Sequence, residues 1–562
     1  MYKLPPLPSA QIFRQIMPLL PTESRLDRQS ICISIIIMVW SRKLIKRYGS
    51  NFGWVKLPPW RRVWFWCLVL LSAGGLWWAV SCHKVPDFPE RTIGQAVGED
   101  SGQVLYYDTN GDGKDDYWQI LNRQGRKVEI LFDKNVPESD DHVRLDEIPA
   151  HAVPHFIIAL DGVPYSLVKE LYEQGHFRLF YPPSRLISCF PSMTDLAFNQ
   201  MFGGRKPLAY EAEYFDREKN RIMPGNDVYL SGENADWARK LSYRGSFTKD
   251  SLAYLIPEQI FEEELRGIKE VLSKSQKDTV VVYSVATAGL GTRGGREGII
   301  KYLRTMDRFC EQLVFERHGR LKITLLADHG HNMSGRGRVS FDRLLEEAGF
   351  RMSDRLESPR DVVTIKYGLV TYAAFFTARP DKVAEVVLAD PATTFACYPQ
   401  ADGVVVQTLD AKALVREKGG NYSYTAEYGD PLLLGDIIPR LRLQGQVNER
   451  GFIDDRALFD ATAAHIYPDP LRRIWQAFNG LVKKPADLIV CLKDGYCHGS
   501  KLFEVMIGRA TSTHGSLNQL NSATFVLTML GDLPAHLRLD EVMGQLEKFG
   551  VQGLSPQVSA HH

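Results

Sequence analysis

Residues 325–332 read LLADHGHN, a run of aliphatics that stops on Asp328 and His329. A short apolar run bounded by small residues is the pattern of a strand covered on both faces, as in parallel sheets flanked by helices. In open α/β sheets ligands bind beyond the carboxyl ends of such strands, which puts Asp328 and His329 where chemistry is usually done. One such pair is weak alone, since a capping aspartate and an exposed histidine after a strand explain it as well. Its weight depends on what the rest of the chain sets beside it.

The same pattern recurs on both sides. PHFIIAL (154–160) ends on Asp161, and the following YSLVKELYEQG carries Leu167, Val168, Leu171 and Tyr172 on one helical face before stopping at Gly175. DTVVVYSV (278–285) is a second buried strand, GIIKYLRTMDRFCEQLV (298–314) an amphipathic helix striped by Ile299, Leu303, Met306, Cys310 and Leu313, and ADLIVCL (486–492) a late strand. Alternating strands and helices predict an α/β fold with a mostly parallel sheet and helices on both faces. Residues 151–354 are expected to form the first part of that core, 355–485 an inserted α+β subdomain, and 486–562 the end of the core. At 562 residues the chain exceeds what one core holds.

Ahead of the core, 83–150 reads as a small β-rich module. Its QVLYYDTNGDGKDDYWQIL (103–121) places Asp108, Asn110, Asp112 and Asp116 at positions 1, 3, 5 and 9 of a loop with Gly113 at the turn and a backbone carbonyl near Lys114. Calcium takes six to eight oxygens, so this spacing predicts a structural calcium loop between strands; position 12 is Gln119, unlike a helical EF-hand. Earlier still, VWFWCLVLLSAGGLWWAVS (63–81) carries no charge and follows a basic stretch, which predicts a signal or membrane anchor over 63–82. Cys82 after small residues resembles a lipoprotein cleavage site. Residues 1–62 are expected to be cytoplasmic or foreign to the mature protein, and the remainder to lie in the cell envelope outside the cytoplasm. Formal net charge is +1, and the basic residues are dispersed, which argues against nucleic acid as a partner. Nothing in the sequence fixes an oligomeric state.

Four points fall at strand ends or helix starts: Asp161, FPSMTDLAFNQMFGG (190–204), the Asp328–His329 pair, and STHGS around His514. Their order and contexts resemble the alkaline phosphatase superfamily, most closely its type I phosphodiesterase and nucleotide pyrophosphatase branch. The resemblance implies an alkaline-phosphatase-like fold over roughly 152–550 and a zinc site of Asp161, Thr194, Asp328 and His329. It also implies Thr194 as nucleophile, His514 beside it, and a phosphate ester as substrate. Chemically the set is coherent, because zinc accepts such nitrogen and oxygen donors and makes a bound hydroxyl far easier to deprotonate. Thr194 is preferred to Ser192 by the ten-residue interval to Gly204, and Cys189 lacks the context of a sulfatase.

The sequence departs from the family where a second zinc would find an aspartate and a histidine. That segment reads YSVATAGLGTRGG, with Ala288 and Thr292 at the two positions and only Gly291 kept. Of the three protein ligands the resemblance implies for that second zinc only His514 is kept, so one zinc is expected, two being the alternative, with His514 and Arg293 or Arg296 standing in for the missing cation. A catalytically degenerate protein that binds a phosphorylated ligand is the competing expectation, and a phosphate-cradling GLGTRGG loop a third. His331 reads as a loop residue within reach of the site.

Overall fold

The computed structural model describes residues 88, 95–97, 103–133, 142–224, 236–245, 252–508 and 510–551; the expected anchor over 63–82, with Cys82 and the stretch before it, lies outside them. Among the described residues no helix is long and apolar enough to cross a membrane.

A six-stranded sheet carries the strand ends singled out above. Its order is Thr279–Ser284, His155–Leu160, Lys322–Ala327, Ala523–Thr528, Ser184–Ile187, His536–Arg538. The strand Ala523–Thr528 runs antiparallel to both neighbours, and all other pairings are parallel. Every residue of His155–Leu160, Lys322–Ala327 and Ala523–Thr528 is buried, which is why these segments are mostly apolar. The helix Tyr165–Glu173 buries Leu167, Val168 and Leu171, and the helix Pro257–Lys274 buries Ile260, Phe261, Leu265, Ile268 and Leu272. Each such side chain is worth roughly 1.5–3 kcal/mol when fully removed from water. Register then positions the chemistry: Leu160 is level with both Ser284 and Ala327, so Asp161 and Asp328 leave the sheet at one edge, side by side.

Two expectations fail here. The glycine-rich segment after Ser284 is not a loop: Ala286–Glu316 is helical, kinked at Gly295, whose φ of 56° only glycine adopts without strain. The carboxylate of Glu264 caps its start, accepting from the N–H groups of Val285 and Ala286 and from the Ser284 hydroxyl. GLGTRGG (289–295) lies within this helix and does not form the phosphate-cradling loop of the third expectation. Second, Leu488–Leu492 does not close the first sheet. It sits in the middle of an eight-stranded, mostly antiparallel sheet, between Tyr372–Thr377 and Thr393–Gln400. The expected insert thus takes one of its central strands from beyond residue 485.

The N-terminal module is a five-stranded antiparallel sheet running from Gln95–Val97 to His142–Arg144. It is fastened to the helix Ala286–Glu316 by a buried cluster in which Lys127 pairs with Glu311 at 2.6 Å and Gln119 donates to the same carboxylate.

Candidate metal centre

Asp161 leaves its strand 5% exposed; its N–H donates to the Thr287 hydroxyl and the Ser284 carbonyl, and its Oδ2 accepts from the Tyr283 hydroxyl at 2.6 Å. Asp328 is fully buried. Its Oδ1 accepts from the N–H groups of Gly162 and His329, while its Oδ2 has no hydrogen-bond partner. His329 turns its Nδ1 onto the carbonyl of Gly330 at 3.0 Å, so Nδ1 carries the proton and the Nε2 lone pair faces inward. That Nε2 lies 3.3 Å from Asp328 Oδ2, 3.8 Å from Asp161 Oδ1 and 3.3 Å from Thr194 Oγ1.

Thr194 opens the helix Thr194–Met201 and is partly exposed, as are Met193 and Asp195 on either side of it. Ser192 is buried and donates to the carbonyl of Cys189; burial pushes the Cys189 thiol up to about 11. Arg473, buried 97% of the way from solvent by its 3% exposure, donates to the carbonyls of Cys189, Pro468 and Leu517 and fixes this segment from below. Gly204 is required by close approach: a Cβ there would sit 2.0 Å from Asn199 Oδ1.

Two carboxylates and an imidazole thus converge in a buried corner, where Asp328 Oδ2 has no hydrogen-bond partner. Asp161, Asp328 and His329 are the group among the described residues whose potential ligand atoms all lie within 4.8 Å of one another. Burial holds the Asp328 carboxyl up at about 7, against the pull of the Gly162 N–H, and drives the His329 imidazolium down to about 4. Buried anions of this kind are costly unless paired or bound to a cation. The donor set of two carboxylates, a neutral imidazole and a hydroxyl suits a divalent ion such as zinc.

Other expected residues fare differently. His514 stacks on His329, ring centres 3.9 Å apart and planes 16° apart, with its Nδ1 on the carbonyl of Ser192. His331 is a loop residue that reaches the site: it is 1% exposed, and its ring centre lies 5.2 Å from that of His514. Its pairing with Gly162, where a Cβ would meet its ring at 2.4 Å, is a signal visible only in three dimensions. The arginines are engaged elsewhere, Arg296 with the Glu170 carboxylate and Arg293 with the carbonyl of Leu255. Neither is used as a stand-in cation below. In the Asp108–Asp116 loop, Asp108 accepts from the N–H groups of Gly111, Asp112 and Gly113, Asn110 from Asp112, Asp112 from Lys114, and Asp116 from Thr109.

No family model matches this sequence, nor does any curated protein. Among solved structures, murine ectonucleotide pyrophosphatase/phosphodiesterase 5 aligns over 71% of this chain and 95% of its own, at 10% identity and a TM-score of 0.36. The human protein of that name aligns over 71% and 96%, at 9% identity and 0.36. An inactive form of the murine protein in complex with AMP aligns over 71% and 94%, at 8% identity and 0.38. Likenesses of this size assign neither a fold nor a chemistry to the chain, which rest on its own strands and side chains.

Proposed function

We propose that this chain is a metal-dependent phosphoric-ester hydrolase or transferase with an alkaline-phosphatase-like fold and Thr194 as its nucleophile. The observation that carries this is the convergence of Asp161, Asp328, His329 and the Thr194 hydroxyl at one edge of the sheet, with Asp328 Oδ2 and the His329 Nε2 lone pair facing inward. A divalent ion held by these residues supplies Lewis acidity for a phosphoryl oxygen and eases deprotonation of a neighbouring hydroxyl. Tyr283 orients the Asp161 carboxylate, and the Gly330 carbonyl fixes the His329 tautomer. Thr194 Oγ1 forms the bond to phosphorus as the ester oxygen departs with a proton; water then cleaves the phosphothreonine. The start of the Thr194–Met201 helix turns backbone N–H groups toward the phosphate oxygens.

On the same reading the chain is exported and tethered through 63–82, and calcium at the Asp108–Asp116 loop serves stability. The decisive experiment combines zinc analysis of the purified chain with turnover of bis(p-nitrophenyl) phosphate and p-nitrophenyl phosphate, in wild type and Thr194→Ala. Turnover that Thr194→Ala abolishes, at an unchanged melting temperature, supports the enzyme. A zinc-loaded wild type inert toward both esters supports instead a degenerate binder of phosphorylated ligands, for which Ala288 and Thr292 already argue.

A further inference from the structure

Three histidines crowd the corner, and only one of them belongs to the donor set just described. His329 and His514 lie face to face, 3.9 Å between ring centres and 16° between planes. An imidazole binds a metal along the nitrogen lone pair, in the plane of its ring, so two stacked rings cannot both ligate one ion. His514 therefore has no part in the ion held by His329. Its Nδ1 is committed to the carbonyl of Ser192 at 2.9 Å, which places the proton on Nδ1 and the free lone pair on Nε2.

His331 is fixed in the same tautomer by other means. Its Nδ1 lies 2.9 Å from the Ser512 hydroxyl, whose own proton points to the Asn332 carbonyl oxygen and whose oxygen also accepts from the Met333 N–H. Nδ1 is then the donor and Nε2 the lone pair. That Nε2 is buried with no hydrogen-bond partner. Room for the ring comes from two glycines: a Cβ on Gly162 would meet it at 2.4 Å, and one on Gly291 would lie 3.5 Å from its Nδ1.

The rings of His331 and His514 are 5.2 Å apart, centre to centre, and inclined by 55°. Two imidazoles sharing a tetrahedral ion at metal–nitrogen distances of about 2.0–2.1 Å put their ring centres about 5 Å apart. The His329–His331 separation of 6.2 Å is too long for that arrangement. We infer that His331 and His514 form a second cation position, next to the Asp161–Asp328–His329 position and built without the aspartate and histidine replaced by Ala288 and Thr292. Imidazole donors select zinc, cobalt, nickel or copper over magnesium and calcium. Two neutral ligands leave the remaining coordination to water or to substrate phosphate oxygens. The position therefore binds more weakly than its carboxylate-lined neighbour.

This inference rests on the proposed metal centre, and a zinc titration separates the two. Metal-free full-length chain is titrated with zinc against a chromophoric chelator, for wild type, His331→Ala, His514→Ala and Asp328→Ala, with melting curves to establish folding. Wild type is expected to take two zinc ions in a tight and a weaker step. His331→Ala and His514→Ala should each lose the weaker step alone, and Asp328→Ala the tight one. Cobalt-loaded wild type should show a second set of visible absorption bands that His331→Gln lacks, a readout that holds if the alanine variant fails to fold. One zinc in wild type, retained by His331→Ala, overturns the second position and leaves the first standing. Two zinc ions retained in His331→Ala overturn it as well. No zinc in wild type overturns both.

Discussion

The chain has two acid-rich corners, and they differ in how their oxygens are occupied. In the Asp108–Asp116 loop Asp108, Asp112 and Asp116 accept from the loop's own N–H groups, Asp108 alone taking three, and Asp115 keeps one buried oxygen without a hydrogen-bond partner. At the sheet edge Asp328 is sealed from water with Oδ2 unspent, and its partner imidazole presents a bare lone pair. Count and spacing of acidic residues do not distinguish a turn from a metal centre. What sets the sheet edge apart is that Asp161, Asp328 and His329, all buried, bring potential ligand atoms within 4.8 Å of one another, where uncompensated charge is costly unless a cation is bound.

The sharpest test of that contrast is a pair of alanine substitutions. Asp328→Ala should abolish the tight zinc step and lower phosphate-ester turnover by about a thousandfold or more, since losing a catalytic metal removes several kcal/mol of transition-state stabilisation. Asp112→Ala should leave turnover unchanged; an inactive Asp112→Ala at full stability would erase the distinction between the corners. Less severe is Tyr283→Phe, which removes the hydrogen bond to Asp161 while keeping the ring packed between Phe198 and Trp237. A loss of about 10–100-fold in zinc affinity is expected, read by chelator competition.

At the loop, calcium should raise the melting temperature in wild type and not in Asp112→Ala. An excess of 100 times Kd corresponds to about 2.7 kcal/mol, which is the ceiling for this effect at that concentration. No calcium-dependent shift in wild type would leave the loop a self-capped turn. The smallest effect lies away from both corners. Burial depresses His155 to about 3 and His498 to about 4, below the ordinary histidine value near 6.5. Between those values the unfolded chain binds more protons than the folded one. Stability is therefore full above about pH 6.5 and declines as pH falls below it, and His155→Gln should flatten the urea midpoint against pH.

Much of this was written in the sequence at the strand ends. Asp161 and Asp328 follow apolar runs that have no alternative to a doubly covered strand, and the stripe from Ile299 to Leu313 specifies its helix by periodicity alone. The misreadings have physical causes. Glycines 289, 291, 294, 295 and 298 lower helix propensity enough to suggest a loop, yet Glu264, from another helix, caps the segment and tertiary packing holds it. Leu488–Leu492 is buried on both faces, and a wholly apolar strand carries no mark of which sheet it joins. The burial of His331, by contrast, is not legible locally, because its surroundings are supplied by Gly162 and Ser512, far away in the chain.

Arg473 has a consequence for how the protein is made. Its guanidinium gathers carbonyls from Cys189, Pro468 and Leu517, so the support beneath the Thr194 segment is assembled from parts that leave the ribosome at widely separated times. The segment near 190 emerges early and waits without its clasp until almost the entire chain has been synthesised. A chain that stops before Leu517 therefore lacks part of the clasp beneath the Thr194 segment. Long-range closure of this kind slows folding.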